Sequence, residues 1–254
     1  MTRAADRGAP SGPLAAYRAE LLRWNRQINL LSRRDAPAAA DQLIAQCADA
    51  FDLWWGGAGA ELVAGGKVRW FDLGSGGGLP AFVWRVLLAG RGVEVEATLV
   101  EPRTKRAWFL ERLARLPGAP GFRVVAARWG EGAYPEAGAD NSPILFTLKA
   151  LRLSEAAILG GLEVAVPAAA RAPGGDIGIV RFQPAEGVTA AGLSAELEVP
   201  AAGEAFACGG LGFRSFGGRY LAPAGNAGAG AGAGAGAAGL FVTRHQILGA
   251  DAQG

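Results

Sequence analysis

The chain has 254 residues, of which 50% are hydrophobic and 19% charged, and its formal net charge is +2. This length and hydrophobicity suffice for one α/β domain with an accessory segment, and they exclude a chain that is disordered throughout. Two cysteines far apart in sequence and one histidine form neither a disulfide framework nor a metal motif. We therefore expect no metal site and no histidine-based catalysis.

The N-terminal third predicts a tail followed by helices. Residues 1–13 contain Gly, Pro, Ala and charges without periodicity, which predicts a disordered tail. From Leu14, apolar side chains recur at three- and four-residue steps, namely Tyr17, Leu21, Trp24 and Ile28. A second helix is predicted over residues 38–55, ending at two glycines. Residues 14–66 are thus predicted to form a helical cap with a basic outer face.

The central part of the chain alternates between strand and helix patterns. The predicted strands cover residues 68–73, 95–100, 122–127, 144–148 and 176–182, and the predicted helices cover residues 80–89, 104–116 and 154–166. This alternation predicts an α/β fold with a doubly wound, mostly parallel sheet. Residues 67–254 would form this domain.

The C-terminal part gives weaker patterns. A pair of strands around glycines is predicted over residues 206–221, and a final strand over residues 240–247. Between them, residues 224–239 form an almost pure Gly/Ala repeat, which has no side chains to bury and predicts a flexible insertion.

The sequence carries no sign of secretion or membrane insertion. Its first residues lack the apolar region of a signal peptide, and the longest apolar stretch, residues 156–170, is interrupted by Glu163 and Pro167. We expect a cytoplasmic protein without a membrane partner and, because no segment marks an interface, a monomer.

A glycine-rich turn after the first strand predicts a cofactor site. The turn carries Gly74, Gly76 and Gly78, but Leu79 occupies the place where a dinucleotide fingerprint needs a further glycine. The loop therefore fits a flat ligand without a phosphate, such as S-adenosylmethionine. Glu101, at the end of the next strand, would accept hydrogen bonds from the ribose hydroxyls. A purely structural glycine turn remains the alternative.

Asp72, which ends the apolar run before the turn, has two interpretations. It would either order the glycine loop or bind the methionine ammonium of the cofactor.

Three motifs together resemble one known family, the small-subunit (16S) ribosomal RNA guanine-N7 methyltransferases, also called the glucose-inhibited division protein B family. They are residues 17–35, with the pattern WN..INL, residues 72–80, with GSGGGLP, and residues 99–110, with KR.WFL; the final Thr243-Arg244-His245 also matches. The resemblance implies a Rossmann-like class I methyltransferase fold, S-adenosylmethionine as cofactor, and small-subunit ribosomal RNA or a ribosomal particle as substrate.

The resemblance also implies roles for individual residues. The cofactor would be bound by Asp72, Gly74, Gly76, Gly78, Leu79, Glu101, Trp129, Gly130, Glu131 and Lys149. The segment from Arg128 to Glu131 would line the adenine, although it contains one extra residue and Trp129 fits a core position equally well. Lys149 stands where the family has an arginine, and it keeps the charge without the planar fork.

Lys149 is also the candidate catalytic residue. Guanine N7 carries an in-plane lone pair, so its methylation needs alignment and exclusion of water but no general base. Lys149 would orient the base or contact a phosphate, and a solvated lysine at a strand end is the alternative. A nucleophilic cysteine, as in cytosine methylation, is not needed.

Several positions depart from the family pattern. Gln46 and Ala50 replace a histidine and a serine, Ile144 replaces an aspartate, and Ala81 replaces a glycine. These changes lie around the target base more than around the cofactor. Two further interpretations therefore stay open: a methyltransferase that acts on another RNA or a small molecule, and a non-catalytic paralogue that binds RNA or ribosomes.

Clusters of cationic residues are candidates for binding RNA, because positive charge supplies contacts to phosphates. They are Arg23, Arg26, Arg33, Arg34, Arg103, Lys105, Arg106 and Arg181, the last at the position of a family lysine. For each single residue, the solvated face of an amphipathic helix is the alternative.

Overall fold

The protein was analysed as a computed structural model that describes residues 11–31, 35–116, 121–132, 134, 140–166, 168, 171–184, 189–221 and 238–249. Its helices are α1 (Gly12–Ile28), α2 (Ala36–Trp54), α3 (Ala60–Leu62), α4 (Ala81–Ala89), α5 (Thr104–Leu113), α6 (Glu155–Gly160), α7 (Leu162–Ala165) and α8 (Ala190–Glu196). Its strands are β1 (Lys67–Leu73), β2 (Glu94–Val100), β3 (Arg123–Val125), β4 (Ile144–Leu148), β5 (Asp176–Pro184), β6 (Ala205–Cys208), β7 (Leu211–Leu221) and β8 (Ala238–Gly249).

The strands form one sheet in the order β3-β2-β1-β4-β5-β8-β7-β6. Strands β1 to β5 pair in parallel, whereas β8 is antiparallel to both β5 and β7, and β6 is antiparallel to β7. The predicted α/β fold with a doubly wound, mostly parallel sheet is confirmed. From β1 the chain adds β2 and β3 on one side and β4 and β5 on the other. The carboxyl ends of β1 and β4 therefore flank the switch point where open α/β sheets bind ligands.

Four boundaries differ from the sequence prediction. Helix α1 begins at Gly12, so residues 12 and 13 are not part of a tail. Helix α2 passes into a π-helical turn, Trp55–Gly59, instead of ending at the glycines. The helix predicted over residues 154–166 is divided at Gly161, whose Cα packs closely on the Trp129 indole.

The fourth difference concerns β8, whose first residues, 238 and 239, are the last two of the predicted Gly/Ala insertion and pair with β5. Residues 1–10 and 224–237 lie outside the described residues. Helix α8 was not predicted, because its seven residues are too few to give a clear periodicity.

The sheet separates two hydrophobic cores. On one face, Trp70 of β1 packs with Trp54 and Trp84 beneath helices α1, α2, α4 and α5. On the other face, Phe71 packs with Phe146 beneath α6 and α7. This alternation along β1 follows from the strand period of two, and it turns Asp72 to the same face as Trp70.

The N-terminal helices share the first of these cores with the sheet. Tyr17 of α1 stacks on Phe82 of α4 with 4.5 Å between the ring centroids. The indole N–H of Trp84 donates to the carbonyl oxygen of Cys47 in α2 at 2.8 Å. The predicted helical cap thus lies against the sheet domain through buried aromatic contacts.

A buried polar cluster joins α6 to strands β5 and β8. Glu155 accepts hydrogen bonds from Arg181 and Thr243, and its Oε1 lies 2.5 Å from Nε2 of His245. Burial raises the pKa of the Glu155 carboxyl, but the hydrogen bond from His245 and the charge of Arg181 outweigh burial and hold that pKa below its ordinary value.

The prediction that Arg181 binds RNA is therefore wrong. Its side chain is 3% exposed and ion-paired with Glu155, whose side chain is 1% exposed, so it cannot contact a phosphate on the surface. The arginine lies on the face of β5 against which α6 packs. The strand pattern alone does not show that a helix packs on this face.

Removing the carboxylate of this cluster should strongly destabilise the fold. Glu155→Ala leaves the Arg181 guanidinium buried without its ion-pair partner, and we expect a loss of about 3 to 5 kcal/mol in the free energy of unfolding. Arg152→Ala is the control, because the Arg152–Glu196 pair is exposed and contributes less than about 1 kcal/mol. Urea unfolding of both variants measures the difference, and equal midpoints would contradict the prediction.

Candidate functional site

The glycine loop between β1 and α4 has a backbone that favours glycine at three positions. Gly74, Gly76 and Gly78 have φ angles of 72°, 55° and 83°, in the left-handed region that side chains disfavour. The backbone N–H groups of Gly74 and Ser75 both donate to the carbonyl oxygen of Val100, at 2.8 Å and 3.2 Å. The loop is therefore fixed to the carboxyl end of β2.

The carboxylate of Glu101 holds the loop from the other side. Its Oε2 accepts from the N–H of Gly76 at 2.9 Å, and its Oε1 accepts from the N–H of Arg103 at 2.9 Å. The residue is 3% exposed. Each carboxylate oxygen can accept a further hydrogen bond, so this arrangement leaves acceptor capacity for ligand hydroxyls.

Helices α1 and α5 contact the same loop. The Tyr17 hydroxyl donates to the carbonyl oxygen of Gly77 at 2.8 Å. A Cβ atom on Gly78 would lie 3.3 Å from Leu113 and 3.4 Å from Leu110. A side chain at this position would thus crowd α5. For Gly78, the alternative of a purely structural glycine therefore holds.

Asp72 lies beneath the loop at the end of a buried hydrogen-bond chain. The Trp70 indole N–H donates to Thr147 Oγ1 at 2.9 Å, and the Thr147 hydroxyl donates to Asp72 Oδ1 at 2.5 Å. The other carboxylate oxygen, Oδ2, is buried and has no hydrogen-bond partner among the residues that the structure describes. Burial raises the pKa of the Asp72 carboxyl to about 6, despite the hydrogen bond from Thr147.

Lys149 follows β4 on the same face of the sheet. Its positive charge lowers the pKa of Asp72 and of the buried Cys47 thiol, which places it near both groups. Burial nevertheless raises the pKa of Cys47 to about 12, so the thiol is neutral at physiological pH. Cys47 is not an activated nucleophile.

The segment after Lys149 turns sharply over the loop. Ala150 has a φ of 59°, a left-handed conformation that costs a non-glycine residue about 1 to 2 kcal/mol. Leu151 then lies against Gly74, where an added Cβ atom would be 3.1 Å from its Cδ2. Lys149 is thus held between a buried strand and a strained turn.

Trp129 occupies a core position. Its indole N–H donates to the carbonyl oxygen of Ile158 at 2.8 Å, and its ring packs 5.2 Å from both Phe71 and Phe146. Of the two interpretations for Trp129, the structure favours core packing over stacking on a ligand. Gly130, with a φ of 78°, and the exposed Glu131 follow it.

Most of the candidate RNA-binding residues lie on α1 and at the start of α5. Arg23, Arg26, Arg103 and Lys105 are exposed. Arg106 donates to the carbonyl oxygen of Asn29 at 3.3 Å and lies close to Gly76. Arg33 and Arg34 lie outside the described residues.

The sequence analysis missed three residues that shape the site. Thr147 and the Tyr17 hydroxyl orient Asp72 and the loop, and Asn25 ends α1 by accepting from the N–H groups of Leu30 and Leu31, both at 2.7 Å. Each is a polar group in an otherwise apolar periodic pattern. A buried polar group needs a hydrogen-bond partner, so a polar residue at a buried position of an apolar pattern could have indicated such a role from the sequence.

The described residues form a further cleft outside the site, and they contain no metal-binding group. A cleft lined by Arg69, Glu96 and Tyr134 lies by the amino-terminal halves of β1 and β2, away from the glycine loop. Within the described ranges, no group of three or more His, Cys, Asp or Glu residues could hold a metal ion. No helix in the same ranges is long and apolar enough to cross a membrane.

Residues 12–141 match the model of the GidB family, described as rRNA small subunit methyltransferase G. The chain belongs to this family. The matched residues run from α1 past β3 and include the glycine loop and Glu101, whereas Lys149 and the strands from β4 onward lie beyond them.

Curated relatives give a consistent result. The ribosomal RNA small subunit methyltransferase G of Rhodospirillum centenum is 37% identical over 138 residues, which cover 54% of this chain and 57% of the relative. The protein of the same name from Rhodopseudomonas palustris is 39% identical over 114 residues, which cover 44% and 45%. The chain thus spans about half the length of the curated relatives it matches.

The ionised Asp72 should cost folding free energy. In the unfolded chain an aspartate ionises near pH 4, whereas folded Asp72 ionises near pH 6, so the cost appears as the pH rises through this interval. We expect Asp72→Asn, in the absence of ligand, to match the wild type near pH 4 and to be more stable near pH 7.5, by up to about 3 kcal/mol.

Urea unfolding at the two pH values measures this difference. Glu111→Gln, which removes an exposed carboxylate from α5, is the control and should change stability little at either pH. A stability gain for Asp72→Asn that is the same at both pH values would contradict the prediction.

Proposed function

We propose that the protein is an S-adenosylmethionine-dependent methyltransferase of the cytoplasm that methylates guanine N7 in small-subunit ribosomal RNA. The observation that carries the proposal is the left-handed glycine loop at the carboxyl end of β1, bound to Glu101 and lying over the buried Asp72. It lies within the part of the chain that matches the family. This position, beside the switch point of the sheet, is where α/β folds bind cofactors.

The residues present fit S-adenosylmethionine. A buried carboxylate oxygen without a hydrogen-bond partner is costly, so Asp72 Oδ2 suits a cationic group such as the methionine ammonium. Glu101 retains acceptor capacity for ribose hydroxyls. The loop Gly74 to Leu79 would support the cofactor through its backbone, while Trp129 acts mainly as part of the core beneath.

The reaction needs little acid-base chemistry from the protein. Bound S-adenosylmethionine supplies a methyl group attached to a positively charged sulfur. The N7 lone pair would bond to the methyl carbon as the carbon–sulfur bond breaks, and the bond electrons would stay with sulfur. The positive charge passes to the guanine and no proton moves, so the site must mainly align the two groups and exclude water.

Lys149 is the residue we assign to aligning the guanosine. It directly follows Leu148, the last residue of β4, which pairs with Leu73 just before the glycine loop, and its charge reaches Asp72. An ammonium there can donate hydrogen bonds to guanine O6 or to a phosphate oxygen. The strained Ala150 and the packed Leu151 limit the movement of the segment that carries it.

Asp72 should make cofactor affinity depend on pH. In the wild type we expect affinity for S-adenosylmethionine to rise about ten-fold between about pH 5 and 7, because the ionised carboxylate attracts the ammonium. Asp72→Asn should bind more weakly at neutral pH and lose this rise. Calorimetric titration measures both affinities.

5′-Methylthioadenosine, which lacks the amino-acid part of the cofactor, is the control ligand for this titration. Its affinity should be nearly the same in the wild type and in Asp72→Asn. Equal pH profiles of the two proteins toward S-adenosylmethionine would refute the assigned role of Asp72.

Lys149 should affect methyl transfer more than cofactor binding. Lys149→Ala is expected to slow transfer about 100-fold, because the base loses its alignment. Cofactor affinity should change much less when it is measured near pH 8, where Asp72 is ionised in both proteins. Lys149→Arg should restore most of the rate, and Arg152→Ala, three residues away and exposed, is the control with no effect. Single-turnover transfer of labelled methyl measures these rates, and a normal rate in Lys149→Ala would exclude the role.

The decisive assay offers labelled S-adenosylmethionine with ribosomal RNA and small subunits from cells that lack the N7 modification. Label recovered as N7-methylguanosine supports the proposal. Label in another nucleoside or a small molecule would indicate a changed substrate. Cofactor binding without any transfer would indicate a non-catalytic RNA-binding paralogue, which is the interpretation suggested by Gln46 and Ile144.

A further inference from the structure

A tryptophan on α5 is exposed where most tryptophans are buried. Trp108 is 49% exposed, although burying an aromatic ring of this size stabilises a fold substantially. Its ring meets that of Trp24 from α1 edge to face, with 4.8 Å between the centroids and an angle of 82° between the planes. Trp24 is itself fixed, since its indole N–H donates to Glu20 at 2.9 Å. The Trp24 ring is thus held in place by a hydrogen bond, whereas the Trp108 ring is exposed to solvent.

Trp108 forms one wall of a groove between the two helices. The groove is lined by Trp24, Gln27, Ile28, Thr104, Lys105 and Trp108. Three of these side chains are apolar or aromatic and the other three are polar or charged. This combination suits a flat group with an apolar face and polar edges, such as a nucleobase.

Positive charges surround the exposed ring. Lys105 lies one turn before Trp108 on α5 and Arg112 one turn after it, and the two are about 10 Å apart along the helix axis. Arg23 and Arg112 both lie over the Trp24 ring, at 5.7 Å and 5.5 Å from its centroid.

Two carboxylates lie in this surface: Glu111 is exposed beside Trp108, whereas Glu20 is already bound by its neighbours. Glu20 binds Arg112, Arg23 and the Trp24 indole, and its side chain is 15% exposed. The cations around Trp108, namely Arg23, Lys105, Arg112 and Arg115, outnumber the carboxylates Glu20 and Glu111. The net charge of this surface is therefore positive, which favours a polyanion as the occupant of the groove.

The surface continues into the cofactor site. Helix α5 begins directly after Arg103, whose N–H is bound by Glu101, and the Arg106 guanidinium lies close to Gly76 of the glycine loop. A strand of RNA that placed a nucleotide at the loop could therefore reach Trp108 with a neighbouring nucleotide.

We propose that Trp108 stacks on one unpaired base next to the target nucleotide, while Lys105 and Arg112 bind the flanking phosphates. The inference rests on the proposed function for its RNA ligand and adds a positioning contact outside the cofactor site. Stacking on an aromatic ring tolerates any base, so the contact would set the path of the strand and not its sequence.

The test compares variants of the full chain in binding a short, unstructured, adenosine-rich oligoribonucleotide, followed by fluorescence anisotropy. Trp108→Leu keeps an apolar contact with Trp24 but removes the aromatic face, and we expect about ten-fold weaker binding. Trp108→Tyr should bind nearly as well as the wild type. Phe216→Leu is the matched control, because Phe216 is 50% exposed and also has an arginine, Arg244, over its ring.

An oligomer of equal length without bases separates stacking from charge. Wild type and Trp108→Leu should bind it equally, and Trp108→Leu should leave the salt dependence unchanged. Lys105→Ala should reduce the salt dependence by about one phosphate contact. Wild-type affinity in Trp108→Leu, or an equal loss of affinity for the oligomer without bases, would overturn the inference.

Two further outcomes point elsewhere. If the wild type binds S-adenosylmethionine but neither oligomer nor ribosomal RNA, then RNA as the ligand fails and both proposals fall together. If Trp108→Leu binds RNA normally but loses binding to anionic phospholipid vesicles, or self-association in sedimentation, then the surface serves a membrane or a second copy of the chain, and only this inference falls.

Discussion

The carboxylate of Glu101 joins the two segments that form the proposed cofactor site. One of its oxygens binds the backbone of Gly76 in the glycine loop, and the other binds the backbone of Arg103, where α5 begins. Hydrogen bonds to an ionised acceptor are strong, so a carboxylate that accepts from two backbone N–H groups fixes the positions of these groups relative to each other. The direction of α5, and with it the placement of Arg106 and Trp108, therefore depends on the same side chain that we expect to bind the ribose.

In the proposed site, Asp72 would lower the stability of the free protein and favour binding of a cationic ligand. Its carboxylate is buried. Oδ1 accepts a hydrogen bond from Thr147, whereas Oδ2 has no hydrogen-bond partner within the described structure. A buried group of this kind is unfavourable in the free protein and becomes favourable when a cation reaches it. The cost in folding and the affinity for a cationic ligand then have one physical origin.

The sequence predicted the sheet well because each buried strand has a clear apolar pattern between turn signals. It also located the glycine loop and placed Glu101 at the end of the next strand, since these positions follow from local backbone geometry and strand order. It failed for Arg181, which a strand position alone cannot assign to solvent or to a covered face, and Glu155 lies 26 residues away in the chain. The hydrogen bond from Thr147 to Asp72 spans 75 residues and likewise depends on strand pairing that no local pattern reveals.

Among the described residues, β8 is the last strand in sequence order, yet it does not lie at an edge of the sheet. It lies inside the sheet, between β5 and β7, and forms the connection between the parallel half and the β6–β7 hairpin. During synthesis the hairpin would leave the ribosome before the strand that attaches it, so it must wait with one edge unpaired. Unpaired edges invite pairing with other chains. Until β8 is synthesised, the edges of β5 and β7 that pair with it therefore stay open to pairing with other chains.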